Sequence, residues 1–323
     1  FKPIGEPRWQ DAPALALDAQ LFRPQILPDG TFTLYGTTPM AERGFSLGVT
    51  YSYTRNPVAF GKAGGGATVD EVVNTLYTLD VQAAYQVSEK IGLIAGAPMH
   101  YVADFEPTGT SQSTSVWNNG DHFVALTYSI LRRENIFGLA VMPFARLATG
   151  SERSLVGEGS ARTGLKVMAD ATIGSTGYLT ANVAYVQRKK ETVLGIGLGN
   201  HVTYGFGYTH ALTANHMLEL IAEIYGQSPF GDTKASQANT PVECLAGFRK
   251  YIGSQLGRID LGVGRGTSSG YGAPELRAFA SITLGAGRTP YIPPPPTPTP
   301  EPTPEPTPEP TPEPTPAPVA EAS

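Results

Sequence analysis

Eleven charged residues stand among small, hydroxylated neighbours at positions read as inward-facing: Asp80, Lys166, Asp170, Glu219, Glu223, Glu243, Arg249, Arg258, Asp260, Arg265 and Arg277. Two kinds of chemistry fit such a set. Opposite charges on neighbouring strands can pair into a network that closes a narrow lumen, or they can line a pore and set its ion preference. Signs are mixed and one-signed rings are absent, which favours pairing. Catalysis finds no comparable support. The histidines His100, His122, His201, His210 and His216 accompany no strand-turn-helix serine elbow and no Asp/His/Ser order. No two of them stand at i, i+2 or i, i+4 beside a third ligand, so no metal is expected. The glycines 64–66 lack the Lys-Ser/Thr that would make them a phosphate loop and read as a flexible connection. The chain is expected to be neither an enzyme nor a cofactor binder.

The elements that position these charges show most clearly in residues 44–54. Phe45, Leu47, Val49, Tyr51 and Tyr53 alternate with Ser46, Gly48, Thr50, Ser52 and Thr54. A soluble sheet usually carries Lys and Glu on its polar face, whereas Gly, Ser and Thr suit a strand with lipid on one side and a narrow wet lumen on the other. The composition agrees, because 37 Gly and 15 Tyr accompany only 16% charged residues in a chain of 323. Soluble domains carry about 25%. No apolar run reaches the roughly 18 residues of a membrane helix, so a spanning chain must close into a barrel to satisfy its backbone in lipid. The net charge of -5 argues against a nucleic-acid partner. A single cysteine, Cys244, excludes an intrachain disulfide and shares the apolar parity of Val242, Ala246 and Phe248.

Repetition of this pattern over residues 44–285 predicts an all-β fold, a transmembrane antiparallel up-and-down barrel of about twelve strands. Short connections fall near 87–90, 132–135, 174–177, 211–215 and 253–257. Longer ones, rich in Gly, Ser and Asn, fall at 60–70, 104–120, 148–160, 188–199, 226–241 and 267–274. The short ones are expected in the periplasm and the long ones outside, with both chain ends on the short-turn side. Leu276, Ala278, Ala280, Ile282 and Leu284 should face lipid, with only Phe279 departing from the alternation, as should Val202, Tyr204, Phe206 and Tyr208. Tyr53, Tyr101, Tyr128 and Tyr225 suit an interfacial girdle. Residues 1–43 lack alternation and read as a periplasmic or plug segment. Residues 286–323, with Pro-Thr-Pro-Glu repeats, read as a disordered or polyproline II linker in the periplasm.

The run LFRPQILPDGTFTLYGTTPMAERGFSLGVTYSYTRNPVAF and the closing GYGAPELRAFASITLG resemble the two ends of barrels in the outer membrane protein A family of Gram-negative bacteria. The resemblance implies a barrel joined through a Pro-rich linker to a peptidoglycan-binding domain, but the given sequence ends within the linker and no peptidoglycan-binding residue carries over. The expected role is structural, a barrel anchoring the outer membrane to the cell wall or to a periplasmic protein through residues 293–323. A porin-like channel for small solutes is the alternative. Outer-membrane lipid and lipopolysaccharide are the expected surroundings, and Phe1 reads as a mature or trimmed N-terminus.

Overall fold

The computed structural model describes residues 16–61, 68–105, 114–132, 136–193, 195–253, 257–268 and 270–285. Twelve antiparallel strands form the barrel: β1 Phe45–Gly61, β2 Thr68–Gln86, β3 Ile91–Phe105, β4 in two pieces (Thr114–Asn119 and Phe123–Leu131), β5 Phe137–Arg146, β6 Arg162–Ile173, β7 Gly177–Gln187, β8 His201–Ala211, β9 Leu218–Pro229, β10 Val242–Ile252, β11 Gly257–Gly266 and β12 Leu276–Leu284. Each pairs with the next, and both pieces of β4 pair with β3. The ring closes where β12 meets β1, from Leu276 opposite Arg55 to Leu284 opposite Leu47. Closure leaves no unpaired strand edge, the condition for a backbone in hydrocarbon.

Side chains alternate as the period of two requires. Phe45, Leu47, Val49 and Tyr51 on β1 and Leu276, Ile282 and Leu284 on β12 are exposed outward. Ser46, Thr50, Ser52, Ser281 and Thr283 are buried inward. An outer face this rich in exposed apolar side chains is at home in hydrocarbon rather than water. Rings cross that face in a row, Tyr53 to Tyr77 to Tyr101 to Trp117, with centroids 5.5, 6.0 and 5.0 Å apart. Trp117 lies opposite Tyr101 because strand structure resumes at Thr114, inside the connection expected at 104–120. The connection expected at 188–199 likewise holds a small hairpin, Glu191–Val193 against Ile196–Leu198.

Two expectations are corrected. Arg265 faces outward with Leu261 and Val263, since on β11 the inward positions are Arg258, Asp260, Gly262, Gly264 and Gly266. Being one residue from the strand end, it keeps its charge at the rim. Tyr225 belongs to no outer girdle; it is buried inside with Phe22, Phe32 and Leu34. The barrel itself begins at Phe45 and ends at Leu284, both on the short-turn side, while the two ends of the chain lie outside the described residues. Residues 16–40 occupy the lumen, and Ala16 lies at the long-loop mouth, bonded through its carbonyl to Arg188 just past the end of β7. The glycines 64–66 and residues 286–323, with the linker reading they carry, lie outside the described residues.

Candidate functional site: the occupied lumen

An irregular chain inside a barrel has buried peptide groups with no ladder to satisfy them, so the wall must supply partners. The candidate charges do this. Arg258 donates to the carbonyls of Leu27 (2.5 Å), Gln25 (2.9 Å) and Pro28 (3.1 Å). Arg249 donates to those of Gly30 (2.7 Å) and Thr31 (2.9 Å) while forming a two-pronged pair with Asp260 at 2.8 and 3.2 Å. Asp260 also lies 3.3 Å from Arg258 Nε. Glu223 accepts from the Thr31 hydroxyl and from the amides of Phe32 (3.1 Å) and Thr33 (3.2 Å). Asn182 brackets Tyr35, accepting from its amide and donating to its carbonyl, each at 2.9 Å. Asp170 accepts the Thr37 amide (2.9 Å) and hydroxyl (2.7 Å).

Small wall residues admit the segment. Inward Gly48 faces Ile26, and Gly207 faces Thr31, so closely that a Cβ at either glycine would collide. Gly30, at φ +98°, turns the segment into a bridge between Gly30 and Tyr35. The Gly, Ser and Thr positions of β1 and β8 are thus seats for the plug. The remaining candidates also have places: Glu243 pairs with Arg277, Glu219 is buried opposite Arg249 in register, and Asp80 and Lys166 line a cavity. Arg265 stands apart on the outer face.

A second network, at the long-loop mouth, was missed. Asp18 pairs with Arg23 and lies 3.4 Å from Arg162; Arg162 reaches Asp121 at 3.0 Å and Glu158 at 2.7 Å; Arg188 meets Glu158 at 3.2 Å. Burial pushes the Asp18 carboxyl up, but the charges of Arg23 and Arg162 outweigh it and hold the group below the usual carboxylate range. For Glu158 burial wins over Arg162 and Arg188, and its carboxyl sits above that range. Parity could have found Arg162, which shares its face with Lys166 and Asp170 on β6. Asp18, Asp121, Glu158 and Arg188 lie outside the barrel strands, where parity gives no signal.

Between the segment and the wall lies a cavity of about 150 Å³, lined among others by Asp80, Arg146, Lys166, Tyr35 and Asn182. Lys166 Nζ stands 4.6 Å from the centroid of the Tyr35 ring, and the Arg146 guanidinium 5.0 Å from that of Phe123. Among the described residues neither cation has a carboxylate within ion-pair distance. Toward the short turns, beside Asp29, Gly30 and Arg249, the free space falls to about 10 Å³.

No protein-family model and no curated protein matches the chain. Among solved structures the chain is similar to an outer membrane channel from Pseudomonas putida F1, with a TM-score of 0.56 and 11% identity, covering 77% of this chain and 98% of that one. A likeness at this identity is one of fold. The NanC porin aligns more weakly, with a TM-score of 0.45 and 10% identity over 74% of this chain and 98% of that one. The resemblance to the outer membrane protein A family finds no support in these matches.

Proposed function

We propose that this chain is an outer-membrane channel for small solutes, anions before cations, held shut at its short-turn end by its own N-terminal segment. The observation that carries the reading is the cavity beside that segment, which Lys166, Arg146 and Asp80 line together and where, among the described residues, neither cation has a carboxylate within ion-pair distance. Asp18 with Arg23 and Glu158 with Arg162 pair on the same cavity wall, which leaves Lys166 and Arg146 against Asp80, an excess of positive charge that favours a negatively charged solute in a site of low dielectric. The apolar outer belt and the fold shared with a solved outer membrane channel support the setting. The anchoring role drew on residues 293–323, outside the described residues, so the lumen argues for the channel first. Purified protein in a planar bilayer under a salt gradient tests it. Small, infrequent conductance steps with a reversal potential of anion sign are expected, with the preference shifting toward cations in Lys166→Glu. Folded protein that never conducts would refute the reading.

A further inference from the structure

The outer face of the closing seam carries charge that the lumen does not explain. Among the described lysines and arginines of the barrel strands, only Arg55 on β1, Lys250 on β10 and Arg265 on β11 face outward. Lys250 lies beside the short turn that follows β10. Arg55 and Arg265 both lie on the long-loop side, and they are neighbours. Arg55 is in register with Leu276, the first residue of β12, and the register that sets Gly264 opposite Arg277 brings Arg265 to the other flank of Leu276. The two arginines are therefore two strand spacings apart, about 10 Å. Both are exposed. Arg55 Nε stands 3.6 Å from Glu275, too far for a hydrogen bond, with both side chains more than half exposed. Among the described residues Arg265 has no carboxylate within ion-pair distance.

Toward mid-barrel from this pair, β12 presents Ala278 and Ala280 outward. Ala278 is in register with Val263 on one side and Tyr53 on the other, and Ala280 with Leu261 and Tyr51. Two small residues between four large ones make a shallow apolar groove, one strand wide, closed toward the short turns by the exposed Ile282. Tyr51 and Tyr53 are backed by Tyr77, with ring centroids 6.2 and 5.5 Å away. A guanidinium matches a phosphate with two parallel hydrogen bonds, and an apolar groove beneath it takes an acyl chain. An ordinary phospholipid brings one phosphate, whereas a sugar headgroup phosphorylated at both ends can engage both arginines. We propose that the closing seam binds a bisphosphorylated glycolipid of the outer leaflet, its phosphates on Arg55 and Arg265 and an acyl chain lying over Ala278 and Ala280. That the long-loop side meets the outer leaflet rests on the outer-membrane reading above. The site itself stands on the outer wall and needs no conduction through the lumen.

Full-length protein purified in detergent and titrated with bisphosphorylated lipid A, with binding followed by native mass spectrometry, tests this. The double variant Arg55→Gln with Arg265→Gln should bind about tenfold more weakly than the wild type, because two charge-assisted phosphate contacts are gone. Lys250→Gln should bind as the wild type does. Lipid A stripped of both phosphates should bind the wild type no better than the intact lipid binds the double variant. Ala280→Leu, which fills the groove and keeps both charges, should also weaken binding. Heat-modifiable migration reports whether each variant is folded. Wild-type affinity in the folded double variant, or equal affinity of the wild type for phosphatidylglycerol, would overturn the site. Should the double variant not fold, undiminished binding of the dephosphorylated lipid or undiminished binding to Ala280→Leu would overturn it instead. Conductance of the same wild-type preparation in a bilayer free of glycolipid reads the channel separately, so that either reading can fail alone.

Discussion

Glu243 on β10 and Arg277 on β12 meet across the strand between them, Nε to Oε1 at 2.5 Å and Nη2 to Oε2 at 3.2 Å, with neither side chain exposed. The span is open because β11 presents Gly266 and Gly264 inward at the positions in register with Glu243 and Arg277. Arg277 also donates to Thr54 Oγ1 at 2.7 Å and lies 4.9 Å from the centre of the Phe22 ring, tying both sides of the closing seam to the plug.

Breaking this pair from one side leaves a buried charge, which costs about 3–5 kcal/mol, whereas replacing both partners by apolar residues of similar size is often close to neutral. Glu243→Gln should therefore lower the urea midpoint of the barrel in lipid vesicles, followed by heat-modifiable migration. The double variant Glu243→Leu with Arg277→Met should recover most of the loss. A double variant as unstable as the single one would show that the pair does more than neutralise itself.

The outer face of β11 separates depth from parity. Leu261 and Arg265 share that face, but only Leu261 lies in mid-strand. Leu261→Arg places a charge in hydrocarbon at about 2–4 kcal/mol, while the same charge at an interface costs about 0–1 kcal/mol. Assembly yield should fall for Leu261→Arg and stay unchanged for Arg265→Leu. Equal yields would place β11 at a different depth.

The strands were legible because a wall between two solvents writes its period of two into every hairpin. The plug was not, since residues 16–43 take their partners from far along the chain: Thr31 and Glu223 are 192 residues apart. Arg265 was misread where the inward row of β11 is Gly262, Gly264 and Gly266, which gives parity no polar contrast. Tyr225 and Phe279 break the pattern for the opposite reason. Phe22 and Phe32 bring an apolar surface into the lumen, and Phe279 packs on both with centroids 4.9 and 4.8 Å away. The pairing of Glu243 with Arg277 and of Arg249 with Asp260 follows the mixed signs, but the carbonyls that Arg249 and Arg258 also hold belong to a segment without a pattern.

The mouth should loosen in acid. The Asp18 carboxyl is lower in the folded protein than the ordinary value of about 3.9 that it regains when released. Its contribution to holding the segment is therefore complete above that value and is lost as pH falls below it toward the folded value. Hydrogen-exchange protection of the Ala19 amide, which donates to the Leu155 carbonyl at 2.8 Å, and of the Gln20 amide, which donates to the Asp18 carboxylate at 3.0 Å, should hold from neutral pH to about pH 5 and decline below about pH 4. In Asp18→Asn, protection should be low throughout and insensitive to pH over that range.

Arg258 should govern opening. Its fork holds three carbonyls of the segment near the short-turn end of the lumen, and Asp260 retains its two-pronged bond to Arg249 whether or not the fork is present. Arg258→Lys keeps a cation beside Asp260 but replaces the planar fork with a single ammonium that cannot reach the same three acceptors. The barrel should still fold, because no charge is orphaned, while the segment between Gln25 and Pro28 loses its hold. Openings in a planar bilayer should become severalfold more frequent, with the anion preference unchanged since Lys166 and Arg146 are untouched. Faster hydrogen exchange in residues 25–28 without any rise in conductance would show that the segment fills the lumen without gating it.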